Sequence, residues 1–424
     1  MGLFDNSHKA TWINIWVASS EKHWFNPDNH NGTRVEINGV KKAINWDEAE
    51  QVDIHLKSIK EAGVDTVLFD LTNGFHDFIM ERSKRVGRVC RELGLKFAFA
   101  AGNTDDDGFE QRAELTYKDF CGEDAEFNDC YLKKDGKPLL VLYVVREQYE
   151  RLSKSQATYL SRFNRVWASG EDPDINKWGW QLSPDVATVA SDDAMYVTSS
   201  LRWDYRFPER WHKSAEFLDY NLLKAYVNSP KFLIVGSYDD VFERNSWMLV
   251  DTTDAGEHLK QKDIFGNVSE SSYYERVCDW LKGKPKSIEG GLLADGAYKM
   301  LSSDGKVIGT TGIQDLEGGQ VECVADDQSL NSLIWLYHLG DNYYRISRLS
   351  AGKSLKDNGQ ALIQGCDENC DTQKWQLSIN QNGQVSFKNL KTGRYIGENG
   401  LCENQSEKAF WSLKPDLTMD LIKD

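Results

Sequence analysis

What this chain of 424 residues lacks removes several classes of function before any residue is singled out. No window approaches the ~18 uninterrupted apolar residues that a membrane-spanning helix requires, so no membrane span is expected. Positive charge is in deficit: 50 Lys and Arg face 66 Asp and Glu, a formal net charge of −16, and no local basic patch reverses it. Such a surface repels phosphate backbones and anionic bilayers, which argues against a nucleic-acid partner. The eight cysteines, from Cys90 to Cys402, lack the paired short spacings of a zinc site, and the eight histidines are dispersed. There is no G-x-S-x-G elbow, no H-E-x-x-H pair and no glycine-rich phosphate loop, so neither a metal nor a cofactor is implied. The leading residues Met1-Gly2-Leu3-Phe4-Asp5 lack the basic segment and apolar core of a secretory signal.

What is present suits a neutral partner. The chain holds 14 Trp and 17 Tyr, flat apolar faces on which sugar rings stack while their hydroxyls are hydrogen-bonded. Neutral partners such as sugars therefore stay open; the chain is expected to act as a monomer on a polysaccharide or glycan, for which the motifs along the chain argue, in an extracellular setting, with a cytoplasmic one left open. Cys121 with Cys130, and Cys366 with Cys370, are spaced to close small disulfide loops, although a chain of this length does not need them to fold.

The first ~283 residues alternate short apolar runs with longer amphipathic stretches, the pattern of parallel strands joined by helices. Expected strands are Thr11–Val17, Thr66–Phe69, Lys96–Ala100, Leu139–Val144, Arg165–Ala168, Met195–Thr198 and Lys231–Val235, with a weak eighth at Trp247–Val250. Between the first two, Val52, Leu56 and Ile59 recur at helical spacing and Gly63 marks the stop. The last helix is expected at Ser272–Leu281. The number of units favours a closed eightfold (β/α)8 barrel over residues 1–283, an α/β unit of the TIM type.

Lys282-Gly283-Lys284-Pro285-Lys286-Ser287 combines helix breakers with charge, and residues 284–424 read as all-β. Three segments repeat there: Tyr298 to Ile308 turning at Gly305, Tyr344 to Leu355 turning at Gly352, and Val385 to Ile396 turning at Gly393. Each is followed by a closing aromatic strand, centred on Trp335, Trp375 and Trp411 in turn, and the three tryptophans are expected to fill one pseudo-symmetric core. Threefold repetition over ~130 residues resembles a β-trefoil. Gln373-Lys374-Trp375 resembles the Q-x-W signature of ricin-type lectin trefoils, which implies carbohydrate binding.

In a barrel, reactive groups collect at the carboxyl ends of the strands. Three places stand out there. Asp70 and Asn73 follow the Val67-Leu68-Phe69 run; Arg202, Trp203 and Asp204 follow Ser199-Ser200-Leu201; and Tyr238, Asp239, Asp240 and Glu243 follow the apolar Phe232–Gly236 run. Glycoside cleavage needs one carboxyl to protonate the leaving oxygen and a second carboxylate as base or nucleophile, which Asp240 and Glu243 are expected to supply. Asp70, Asn73, Arg202 and Asp204 are expected to bind sugar hydroxyls, with Tyr238 and Asp239 beside them. Trp180 and Trp203 are the expected stacking faces.

The Tyr238–Glu243 segment resembles the W-N-D-x-G-E motif of glycoside hydrolase family 71 and the W-N-E-W-H-E motif of family 99, with Asp240 and Glu243 on the two acids and Tyr238-Asp239 replacing Trp-Asn. Phe69-Asp70-Leu71-Thr72-Asn73-Gly74 resembles the F-D-x-T-N-G stretch of related bacterial barrels, and Lys137-Pro138-Leu139-Leu140 their G-K-P-L-L strand. The resemblance spans residues 10 to 255 and implies an endo-acting hydrolase of α-linked glycans. A lectin or toxin-like binding protein with a non-catalytic barrel is the rival reading, and a lyase or transglycosylase a further one.

Overall fold

The structure, a computed structural model, describes residues 2–16, 35–37, 40–42, 44–170, 172, 174–179, 189–190, 193–201, 212–240, 246–249, 272–310 and 316–422. Two sheets dominate it. The first contains seven parallel strands: β1 (His8–Ile13), β2 (Thr66–Leu71), β3 (Lys96–Ala101), β4 (Lys137–Tyr143), β5 (Asn164–Ala168), β6 (Ala194–Val197) and β7 (Phe232–Ser237). Helices α1 (Ala49–Glu61), α2 (Asp77–Glu92), α3 (Asp106–Thr116), α4 (Arg146–Leu152), α5 (Ala215–Asn228) and α6 (Ser272–Leu281) lie between or after them.

The spatial order is β5-β4-β3-β2-β1-β7-β6, every neighbour parallel. Chain order thus runs outward from β1 to β5 on one side, while on the other the last strand, β7, returns beside β1 with β6 beyond it, a cyclic order that gives an open, barrel-like sheet; among the described residues no pairing joins β5 to β6. Every residue of β2 and β7 is buried, because strands covered on both faces have no solvent side. In α1, Val52, Leu56 and Ile59 form the buried stripe, and the helix ends where Gly63 takes a φ of +98° and donates to the Lys60 carbonyl.

Two expected strands differ. The first begins at His8 and ends at Ile13, so it lies earlier than Thr11–Val17. At Trp247–Val250 the described residues 246–249 carry no ladder, only an isolated parallel bridge between Ser237 and Ser246. Trp247 is buried there because its indole donates to the Thr11 hydroxyl (3.1 Å) and the Val235 carbonyl (3.2 Å), bracing β1 against β7 from outside the sheet.

The second sheet is antiparallel: β8 (Gly296–Leu301), β9 (Val307–Gly309), β10 (Glu322–Val324), β11 (Ile334–Gly340), β12 (Tyr343–Arg348), β13 (Lys353–Asp357), β14 (Leu362–Gly365), β15 (Trp375–Ile379), β16 (Val385–Asn389), β17 (Tyr395–Gly397), β18 (Gly400–Cys402) and β19 (Ser412–Thr418). Pairings run β8-β11-β12-β15-β16, then through the Val385–Trp411 bridge to β19 and back to β8. Six strands therefore form a ring. The pairs β9/β10, β13/β14 and β17/β18 are two-stranded hairpins attached to it. Gly305, Gly352 and Gly393 turn with φ of +79°, +57° and +74°, the left-handed region in which glycine carries no β-carbon penalty, so glycine is favoured at all three turns.

The threefold register corrects the reading of the tryptophans. The Leu349 amide donates to the Leu333 carbonyl as the Leu390 amide donates to that of Lys374, which aligns Ile334, not Trp335, with Trp375. Trp375 and Trp411 fill the ring's interior, their indoles donating to the Leu355 and Ile396 carbonyls, both at 3.0 Å. Trp335 lies one residue out of step, and a one-residue step in a strand reverses the face. It packs instead into the hydrophobic core of the first sheet. None of the eight cysteines is bonded to another; Cys366 donates to Glu317 at 3.1 Å, and Cys121 and Cys130 are buried thiols.

The two sheets meet across α5, which presents two buried carboxylates. Glu216 accepts from Arg345 and Ser347, both at 3.1 Å. Asp219 accepts from the Tyr337 hydroxyl (2.5 Å), the Trp280 indole (2.9 Å) and Arg276 (3.2 Å). Removing one partner of a buried ion pair leaves the other charged and unsolvated, so Asp219→Ala should cost about 3–5 kcal/mol in denaturant unfolding. A loss below about 1 kcal/mol would contradict a dry junction.

Candidate functional site

Parallel strands place all their carboxyl ends on one edge of the sheet. At that edge the end of β2 brings Asp70 and the loop after it Asn73, the loop after β1 brings Asn14 and Trp16, and the loop after β7 brings Tyr238, Asp239 and Asp240. Since β1 lies between β2 and β7, the Asp70 and Asp240 loops are two strand spacings apart, about 10 Å.

A β-bulge aims the β7 loop. Ala10 faces Ile234 whereas Trp12 faces Ser237, so β7 carries one extra residue over this stretch, and Gly236 adopts a φ of +30°. The Thr11 hydroxyl donates to the Val235 carbonyl at 2.9 Å and holds the bulge in place. Bulges at sheet rims redirect the side chains that follow them.

Beyond the bulge, Tyr238 is fully buried. Its hydroxyl lies 3.0 Å from His55 Nδ1 on α1, and its ring meets Trp247 edge to face at 5.0 Å. Asp239 is equally committed: one carboxylate oxygen accepts from the Asn14 amide and the other from the Trp46 indole, both at 2.8 Å. Burial pushes its carboxyl up to about 7, with the adjacent Asp240 charge adding in the same direction. Asp240 itself is 8% exposed. Tyr238 and Asp239 thus anchor the turn that leads into Asp240.

Asp70 closes a turn at the end of β2. One oxygen accepts from the Thr72 amide (2.8 Å) and hydroxyl (2.7 Å), and the other accepts from the Trp16 indole at 3.3 Å. Burial raises its proton affinity while these donors oppose the rise. Asn73 is exposed, its side-chain carbonyl accepting from Asn103 after β3 at 3.4 Å. Glycine at 102 is dictated by crowding, since a β-carbon there would lie 2.8 Å from Tyr143 and 3.1 Å from Thr72.

The edge therefore gathers Asp70, Asn73, Asp239 and Asp240, with Tyr238 behind them. Trp180, Arg202, Trp203, Asp204 and Glu243 lie outside the described residues. Sequence reading did not single out Trp46 or Thr72, which hold the two aspartates; a tryptophan just ahead of α1 carried no signal of its reach to a residue 193 positions away. Among the described residues no group of three or more His, Cys, Asp or Glu is placed to hold a metal ion, and no helix is long and apolar enough to cross a membrane.

Two buried groups here titrate in opposition. His55, lowered to about 4 by burial from 6.5, stays neutral in the fold but takes a proton readily once unfolded, so acidification from pH 6.5 to 4 lowers stability through it. Asp239 holds its proton better folded than unfolded, so acidification through the same window raises stability through it. Asp239→Asn removes only the second contribution. The variant should lose stability more steeply than the parent as pH falls through that window in thermal melts; equal slopes would contradict the opposition.

No family model and no curated protein matches the chain. Among solved structures, the GH99 endo-alpha-mannosidase from Bacteroides thetaiotaomicron is 12–14% identical in its two structures, covering 66% of this chain and 97% of that one with a TM-score of 0.47. The designed threefold-symmetric protein ThreeFoil is 22% identical over 29% of this chain and 100% of its own, with a TM-score of 0.27. A mosquitocidal holotoxin is 18% identical over 30% of this chain and 18% of its own, again with a TM-score of 0.27. At these scores none of them assigns a fold or an activity to this chain.

Proposed function

We propose that this chain is a glycan hydrolase, endo-acting on an α-linked polysaccharide, built from a (β/α)8 barrel over residues 1–283 and a carbohydrate-binding β-trefoil of the ricin type over residues 284–424. The observation that carries the reading is the gathering of three buried carboxylates, Asp70, Asp239 and Asp240, at the carboxyl edge of a parallel sheet. The return of the last parallel strand, β7, to the side of β1 supports a barrel, and a six-stranded ring with three hairpins supports a trefoil.

In this reading Asp240 and Glu243 are the acid and base of glycosidic cleavage. One protonates the departing oxygen; the other serves the anomeric carbon as base or nucleophile while positive charge develops there. The departure of Tyr238-Asp239 from the Trp-Asn of families 71 and 99 falls on two buried residues that His55, Asn14 and Trp46 hold in place. Asp239, kept partly protonated near neutrality by burial, would soften the repulsion that a second full charge beside Asp240 would impose. Asp70, Asn73, Arg202 and Asp204 take sugar hydroxyls, and Trp180 and Trp203 stack against rings. The substrate setting is extracellular.

Purified protein offered yeast α-mannan, amylose, dextran and a β-glucan control should release reducing ends from an α-linked polymer. Asp240→Asn and Glu243→Gln should each lower the rate by about 10²–10⁴-fold, the contribution of a positioned acid or base. Cleavage surviving both substitutions contradicts the assignment. Binding without any cleavage by the unmodified chain supports the lectin reading instead.

A further inference from the structure

Directly after Asp70 and Asn73 the chain turns at Gly74 and enters α2 through His76 and Phe78. These two side chains are exposed, and Phe78, at 46%, is among the most exposed large apolar side chains among the described residues. Their rings are parallel within 2°, with centroids 5.6 Å apart. By contrast Phe75, between them and the sheet, is turned inward, edge to face with Phe99 and under the Arg112 guanidinium.

The pair is held in place. Gly74 has a φ of +145°, and a β-carbon there would lie 2.8 Å from the His76 ring, so the imidazole rests against bare backbone. Phe78 has the Arg82 guanidinium 5.7 Å from its ring centre. Arg82 is itself buried and locked by both oxygens of Asp47 (2.8 and 2.7 Å) and by the Ile15 carbonyl (2.8 Å). Ile15 precedes Trp16, whose indole donates to Asp70. One chain of contacts therefore fixes the exposed rings relative to the candidate cleft.

We infer that the parallel His76–Phe78 pair is a stacking platform for a sugar ring of the glycan, adjoining the Asp70 and Asn73 side of the cleft; this rests on the glycan reading above. The C–H face of a pyranose packs on an aromatic face without needing charge, and the hydroxyls at its edge meet the exposed Asn73 amide. Asp77 between the two rings and the acidic surface disfavour an anionic occupant. The platform would grip a unit next to the one being cut, binding the chain without touching the reacting bond.

Phe78→Ala and His76→Ala in the full chain test this, with Phe78→Trp as the conservative variant and thermal melts to verify folding. The probes are yeast α-mannan, amylose and dextran, assayed for cleavage and by affinity electrophoresis. Phe78→Ala should raise KM and weaken binding by about five- to tenfold, with kcat nearly unchanged, and Phe78→Trp should restore both. Unchanged KM and binding in folded Phe78→Ala overturns the platform and leaves the hydrolase intact. Binding by the parent that falls in Phe78→Ala, without cleavage by either, keeps the platform and removes the hydrolase. A parent that neither binds nor cleaves any of the polymers overturns both.

Discussion

The Asp239 carboxylate ties together three segments that are far apart in sequence: the turn after β7 to which it belongs, the turn after β1 through Asn14, and the approach to α1 through Trp46. Together with the Gly236 bulge and the contact of Tyr238 with His55, that clamp fixes the backbone from which Asp240 follows. Because both donors are fully used on a buried acceptor, the group cannot leave its place without stranding an amide and an indole away from water. Burial of the same carboxylate also sets its unusual proton affinity, so the geometry and the electrostatics of the rim share one cause.

The junction at α5 acts at a different level. Glu216 and Asp219 are buried on α5, and their donors come from both α6 and the antiparallel ring. Arg345 lies over the Tyr337 ring at 4.7 Å, and Trp335 joins the core of the first sheet, so the contact is packed as well as ionic. A ring held in this way is a fixed companion of the parallel sheet. Carbohydrate bound on it would be offered to the rim in a set relation rather than on a loose lead, which changes the expected gain from avidity to geometry.

Seven of the strands were legible because a buried parallel strand has to be an apolar run, and Gly63, Gly305, Gly352 and Gly393 were legible because their positive φ favours glycine. The failures have equally local causes. The run Ile13-Asn14-Ile15-Trp16-Val17 looks like a continuing strand, yet past Ile13 its residues serve the rim, while polar His8 and Lys9 begin the ladder beside Phe232 and Leu233. Trp247 looks like a strand because it is buried, but it is buried as a brace. Trp335 was placed with Trp375 by spacing, and only the carbonyl each neighbouring amide meets reveals the one-residue slip. Asp70 and Asp240 were visible as polar residues after apolar runs. The partners that position Asp70 and Asp239 were not, since contacts between residues 54, 193 or 225 positions apart leave no periodic trace.

The claim on which everything else rests is that the carboxyl edge of the parallel sheet is where glycan binds. Hydrogen–deuterium exchange of the intact chain, with and without saturating yeast α-mannan, amylose or dextran, reads that directly. Slowed exchange over residues 70–78 and 236–240 with a polymer present is the predicted result. Protection confined to residues 296–418, or none with any polymer, would contradict it.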